Sequence, residues 1–498
     1  MRTFHDALRR REAPRIKGAF WERDRPLFMP RASLKPLMVV VDADLLTQVN
    51  DCPNRLYLLE LLADKSINRY FYANDGPPPS LRRISDGTNQ FVPDWVIAEW
   101  DREHRTSGVQ YISRDANGKH RYHDTLISKG NFLNNASSWS IPSAYGSRVQ
   151  GRARILDDVK LALVADSIMA DILVCDRAGL FLADNSRLFN KIAICSPEQA
   201  LSLVGLYLRE QGVYRLSSSS SLSRSMLFAM LTEELLTEHE NWLAACAEFL
   251  QRTGQHQVEN DAISVLGRIN RALRLRDKFY SQFFLPQTVE TIEEALFSVD
   301  SILIQLMAAL DASAVTTHAL LGLDEGQSHQ AGWKTTNKAW RKSLAAHHPE
   351  MASKVTGFDN ATGLLGVLPR LRNSIHSQAN QMIAHRGQEN HTSPIDVKLL
   401  VVKDAADLNS SLPRETGESW GLLREYSAPA EHLIFDPTRV VEHSIRLTID
   451  FLNMVMRQIA VASQPATGVS ANHSGSSNSH QFLTPLHASR ILWQFGLE

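Results

Sequence analysis

DDVKLALVADSIMADILVCDRAGLFLADNSRLFNKIAICSPEQALSLV, residues 157–204, reads as helix, strand, strand, helix with acids at the joints. From Val159 to Met169 nearly every residue is apolar, which predicts a helix buried on most sides. Asp157 and Asp158 stand at its mouth, where a carboxylate can cap the helix and meet its positive end. Ile172 to Cys175 is a short apolar run closed by Asp176. A central parallel strand ends in this way at the edge of an open α/β sheet, where ligands gather. Ile192 to Cys195 gives a second such strand. Ser196-Pro197-Glu198-Gln199 then supplies an N-cap, a first-turn proline and a capping-box glutamine, so a helix starts there. The stretch predicts an α/β domain with a metal site.

Upstream, Leu37 to Val41 is a β-strand closed by Asp42 and Asp44, again a strand that delivers an acid at its C-terminal end; a turn residue is the plain alternative for Asp42. Leu56 to Leu62 reads as a helix. In FVPDWVIAEW (91–100), Val92, Trp95, Val96 and Glu99 share one helical face. Residues 101–154 are polar and rich in Gly, Asn, Ser and Arg, and read as a long insertion with a hairpin at Asn117-Gly118. Its arginines and lysines either border a nucleic-acid groove or are solvated loop.

The segments VVVDADLL (39–46), FVPDWVIAEW (91–100), DDVKLALVADSIMADILVCDR (157–177) and IAICSPEQAL (192–201) together resemble PIN-domain nucleases in order and spacing, over residues 36–215. The resemblance implies a three-layer α/β/α domain with a central, mostly parallel sheet. It also implies four acids that hold Mg²⁺ or Mn²⁺ and cut RNA: Asp42 at the end of the first strand, Glu99 from a helix, Asp158 at a helix start and Asp176 after the next strand. Asp157 is a rival for the third place. Cys175, directly before the last acid, departs from the small hydroxyl or amide residue usual nearby. The chemistry is consistent by itself, since converging carboxylates repel unless a cation neutralises them, and hard divalent ions prefer oxygen. Asp42-Ala43-Asp44 with Asp166 and Asp171 also resembles haloacid-dehalogenase phosphatases, but Leu45 and Leu46 stand where that family has other residues.

Composition is that of an ordinary globular protein, 43% hydrophobic and 21% charged, with a net charge of −1 that leaves room only for a local nucleic-acid surface. Residues 1–35 carry ten Lys/Arg against four Asp/Glu, either a basic nucleic-acid arm or a solvated leader. The four cysteines are widely spaced and read as reduced core residues. No run of the ~18 apolar residues of a membrane span is expected, nor a signal peptide, so a cytoplasmic location with no membrane partner is expected. Walker, HExxH, GxSxG and zinc-ligand spacings are absent from the sequence.

Beyond the serine run 217–221, helical periodicity takes over. Helices are expected over 226–250, 265–279, 290–309, 363–383 and 439–459, with a small strand pair at 395–402 and 432–435, and a flexible Ser/Asn/Gly-rich tail over 461–498. The expected organisation is an arm (1–35), an α/β domain (36–215), an all-α bundle (222–460) and the tail. Arg268, Arg271, Arg274 and Lys278 recur on one helical face, and either track a nucleic-acid backbone or are solvated. Leu368 to Ser377 holds Arg370, Arg372, Asn373 and His376 and resembles the Arg-Asn…His motif of HEPN-type helical domains, although three residues separate Arg372 from His376 where four to six are usual. That resemblance implies a second, metal-free ribonuclease site built across a homodimer of the helical domain; an incidental Arg and His is the other reading. The whole points to a metal-dependent endoribonuclease, of a kind that fits a toxin or phage-defence role. The alternative is an inactive module, its acids no longer binding metal and its helical part recruiting a partner.

Overall fold

The computed structural model describes residues 15–16, 25–26, 36–45, 52–72, 94–100, 106–114, 120–128, 140–182, 192–217, 221–283, 288–334, 336–359, 363–377, 380–386, 396–402, 412, 414–424, 432–462 and 484–497. It divides into two compact units, one of Met1–Arg224, Phe284–Pro286 and Ser489–Glu498, the other of Ser225–Phe283 and Gln287–Ala488. Within the basic arm, β1 (Arg15–Ile16) and β2 (Arg25–Pro26) pair antiparallel.

The first unit is built on a seven-stranded sheet in the order β7-β6-β5-β4-β3-β8-β9. Its strands are β3 (Leu37–Asp42), β4 (Ile67–Tyr72), β5 (Asp94–Trp100), β6 (Thr106–Arg114), β7 (His120–Ser128), β8 (Ile172–Val174) and β9 (Ala193–Cys195). The pairs along β5-β4-β3-β8-β9 are parallel, and β6 and β7 form an antiparallel extension. Leu37, Val39, Val40 and Val41 are buried in succession rather than alternately, as a strand covered on both faces requires. Val40, Tyr70, Tyr72, Leu173, Cys175 and Ile194 pack on one face against Ile155, Val159, Ala162 and Val164 of α2 (Arg148–Ser167). The intervening Val39, Val41, Phe71, Ile172 and Val174 are also buried and turn to the other face, which α1 (Pro53–Leu62) and α4 (Pro197–Glu210) cover. Helix, sheet and helix thus form three layers. α3 (Ala178–Phe181) follows β8. The predicted capping box is present: Ser196 Oγ accepts from Gln199 N at 3.3 Å, and Gln199 Oε1 from Ser196 N at 3.0 Å.

Four expectations for this unit are corrected. Residues 94–100 form strand β5 rather than a helix, because β4 and β6 supply partners on both sides. The polar stretch 101–154 carries the expected hairpin, β6 with β7, whose connecting residues lie outside those described, but it also contains the first turns of α2. That helix starts from the Ser147 N-cap, so Asp157 and Asp158 lie in its middle instead of at its mouth. The expected flexible tail contains α14 (Pro485–Phe495). Within the unit Ile491, Phe495 and Leu497 are buried, Arg490 makes two contacts with Glu60 of α1 at 2.7 and 3.1 Å, and the Arg209 guanidinium of α4 lies 3.7 Å from the Phe495 ring centroid. The serine run lies largely outside the described residues.

The second unit is a helical assembly with one small antiparallel sheet, β10 (Gln381–Arg386), β11 (Asp396–Val402) and β12 (Leu433–Phe435). The expected single helix at 226–250 is two, α5 (Arg224–Leu235) and α6 (His239–Thr253), and the expected helix at 363–383 stops at Ser377, leaving Ile383 to β10. The remaining helices are α7 (His256–Phe283), α8 (Val289–Leu320), α9 (Lys338–His347), α10 (Pro349–Thr356), α11 (Leu364–Ser377), α12 (Arg414–Ser419) and α13 (Pro437–Ala462). Arg276 of α7 is almost wholly buried and meets Glu442 of α13 at 2.6 Å, and Tyr280 donates to the same carboxylate oxygen at 2.7 Å. Contrary to the expectation that no segment resembles a membrane span, α8 is long and apolar enough to cross a membrane. Half of its most apolar window is buried within the protein, as in a core helix.

Candidate active site

At the carboxyl end of the parallel strands, β4 lies on one side of β3 and β8 on the other. This is where strand order reverses and where open α/β sheets form a crevice. β3 brings Asp42 to that edge and β8 is followed there by Asp176. Asp158 arrives from α2 on the face where Val40 and Cys175 also pack.

Arg177 holds Asp42, Asp44 and Asp158 together. Its Nε donates to Asp42 Oδ2 at 2.5 Å and its Nη2 to Asp42 Oδ1 at 3.2 Å, while Nη2 also reaches Asp44 at 3.4 Å and Nη1 lies 3.9 Å from Asp158. Burial opposes the charged form of Arg177, but the hydrogen bonds and charge of Asp42, followed by the charge of Asp158, more than offset it, so its pKa is raised and the group stays cationic.

Asp158 has a hold of its own. Tyr145 donates to its Oδ2 at 2.5 Å, and Gly179 N donates to the Tyr145 hydroxyl at 2.8 Å. A Cβ on Gly179 would lie 2.1 Å from Asp158 Oδ2, so the glycine is needed for this close approach. Burial raises the Asp158 carboxyl to about 6, against the hydrogen bond from Tyr145 and the charge of Arg177, with Asp157 and Asp42 adding to the rise. The native group binds its proton more tightly than the unfolded chain does. Its contribution to stability therefore falls as pH rises from about 4 to about 6. Melting curves across that window should show a steeper loss of Tm in the native protein than in Asp158→Asn; equal slopes would place the titration elsewhere.

Asp176 turns the other way. Chain alternation past β8 sends Arg177 towards Asp42 and Asp158, and Asp176 towards α1, where Arg55 meets it at 2.5 Å. Its side chain is 45% exposed, and its pKa is raised, first by burial and also by Glu198 and Asp42, against the charge of Arg55. Asp157 pairs with Lys160 at 3.0 Å. Glu99 lies on β5 three residues past Val96, which is level with Tyr72 and, through it, with Asp42. At about 3.3 Å per residue along a strand, that carries its backbone well beyond the edge where the other acids meet; its side chain lies outside the described residues.

Sequence reasoning passed over Arg177, Tyr145 and Arg55. The signal for the first was available, because an arginine directly after a strand-ending aspartate enters the same crevice.

Of the basic stripe on α7, Arg271 is exposed, Arg268 reaches Ser264 at 3.2 Å, Arg274 stacks on Phe228 and Lys278 pairs with Glu294 at 2.5 Å. Arg370, Arg372 and Asn373 lie on α11, with Arg372 donating to Asn373 at 3.3 Å. The side chain of His376, on the same helix, lies outside the described residues.

An all-oxygen donor set suits a hard divalent ion, and the guanidinium is a stand-in cation among Asp42, Asp44 and Asp158. Among the described residues no group of three or more His, Cys, Asp or Glu is spaced to hold a metal. The oxygen donors match a hard cation in kind, and in this structure Arg177 takes the place between Asp42 and Asp158. No family model, curated protein or solved structure matches the chain.

Proposed function

We propose that the first unit is a PIN-like, metal-dependent nuclease that hydrolyses phosphodiester bonds, with RNA as its substrate. The supporting observation is the gathering of Asp42 and Asp158 around one cation at the switch point of a parallel sheet, with Asp176 coupled to Asp42 beside them. Asp42 and Asp158 would hold Mg²⁺ or Mn²⁺, and Asp176 would join them on leaving Arg55. Such an ion supplies charge neutralisation at the phosphate and makes an attacking water more acidic.

The chain's own groups prepare the site. Tyr145 fixes one oxygen of Asp158 and leaves the other facing the crevice. Asp158 gives up its proton near pH 6, so cleavage should rise through that pH. Arg55 orients Asp176 at the rim. Mixed RNA and DNA incubated with the full chain should lose RNA in Mn²⁺ and neither in EDTA, and Asp42→Asn should be inactive. Asp176→Asn should lower cleavage by about two orders of magnitude or more, beyond the usual loss for an outer-shell partner. Because Asp176 is half exposed, its Tm should stay unchanged. A variant that cleaves normally would remove Asp176 from the site.

A second reading has one observation in its favour: Arg177 engages both oxygens of Asp42. If that pairing is permanent, the unit is an interaction module without catalysis, and neither Mn²⁺ binding nor cleavage will be found. For the helical unit, a homodimer that juxtaposes two Arg372–His376 pairs would give an EDTA-resistant ribonuclease activity, lost in His376→Ala.

A further inference from the structure

We propose that Arg177 is a phosphate-binding catalytic residue that exchanges partners, holding Asp42 and Asp158 until a divalent cation takes the carboxylates and a nucleic-acid phosphate takes the guanidinium. The inference rests on the nuclease reading above and adds a role for a residue which that reading leaves as an obstacle.

The two sides of this pairing are held unequally. Asp158 is fixed by Tyr145, itself fixed by the backbone of Gly179, and Asp42 Oδ1 also accepts from Asp44 N at 3.3 Å. These carboxylates keep their positions when the arginine leaves. Arg177 is tethered only through its backbone at the start of the four-residue α3, and its side chain makes no capping hydrogen bond there. Its outermost partner, Asp44, is 87% exposed, so the way out for the guanidinium, itself 15% exposed, runs past one solvated contact.

A divalent ion bound by Asp42 and Asp158 would repel the guanidinium that now neutralises them. The displaced group keeps its charge, and its planar fork of donors matches two phosphate oxygens as well as it matches a carboxylate. Phosphate thus becomes its best neighbouring partner at the moment the metal enters. Metal and nucleic acid are then linked through one side chain, and each must tighten the binding of the other by the same factor.

The test measures Mn²⁺ binding to the full chain by the electron paramagnetic resonance of free Mn²⁺, with and without a cleavage-resistant phosphorothioate oligonucleotide. In the native protein the oligonucleotide should tighten Mn²⁺ about tenfold, within the usual range of coupling between sites. Arg177→Met should bind Mn²⁺ about tenfold tighter on its own, bind the oligonucleotide more weakly, and lose the coupling. Arg177→Lys keeps the charge if the methionine variant does not fold, and its coupling should fall because an ammonium cannot bridge as the fork does. Native Mn²⁺ affinity in Arg177→Met, or full coupling in Arg177→Lys, would overturn the exchange. Coupled binding without cleavage of any RNA or DNA would instead remove the nuclease reading and reduce Arg177 to a binding residue; cleavage without coupling would remove only the exchange.

Discussion

A chain stopped after Ala462 should lose the cooperative unfolding of its first unit while the second still melts as before. α14 and the residues after it bring Ile491, Phe495 and Leu497 into the first unit, all three buried. Burying one such side chain contributes about 1.5–3 kcal/mol, so the three together are of the order of a domain's whole stability. The truncation also exposes Tyr57, whose hydroxyl donates to Arg215 O at 2.9 Å and whose ring lies 6.4 Å from that of Trp493. It leaves Arg209, 5% exposed, without the Gln494 carbonyl it donates to at 3.1 Å. Calorimetry with two transitions in the full chain and one in the truncated chain is the expected result. Two unchanged transitions would show that α14 is only resting on the surface. The single change Phe495→Ala should cost about 3–5 kcal/mol by the cavity it leaves.

The second large effect is expected at Glu442. Arg276 is 2% exposed, and its pKa is raised by Glu442 and Tyr280 despite full burial, so it remains charged inside the helical unit. Glu442→Ala removes its counter-ion and the acceptor of the Tyr280 hydroxyl in one step. Breaking a buried pair from one side costs about 3–5 kcal/mol, because the other charge stays where it is. Replacing both partners, Arg276→Met with Glu442→Leu, should recover most of that loss, since neither member of the pair leaves the other unpaired. Chemical denaturation of the two singles and the double closes the cycle. A double variant as unstable as the sum of the singles would mean that the loss comes from packing rather than from charge.

How far the sequence could be read follows from what each element depends on. β3, β8 and β9 are apolar runs, half of them Val or Ile, that no solvent-facing pattern fits, so they could be read directly, as could the Ser196–Gln199 start of α4. DWVIAEW carries both a helical and a strand period, and its neighbours decided between them. α2 begins in polar sequence, RVQGRAR, where periodicity is silent and only the Ser147 cap marks the start. α14 lay unseen because a long Ser/Asn/Gly stretch precedes a short amphipathic segment. Within the site, Asp42 was readable as an acid at a strand end, whereas Asp158 was read at a helix mouth and lies in the middle of α2. The divergence of Asp176 from them was not readable, because it depends on which way two adjacent residues turn after a strand.

The route of the chain has a consequence in time. Residues 489–498 belong to the first unit, yet they are synthesised after the whole of residues 225–488. At about 5–20 residues per second, tens of seconds separate the completion of Arg224 on the ribosome from the arrival of Ile491 and Phe495. Throughout that interval the nascent first unit lacks the helix that closes over α1 and α4. The first unit therefore completes its packing around α1 and α4 only after the whole of the second unit has been made.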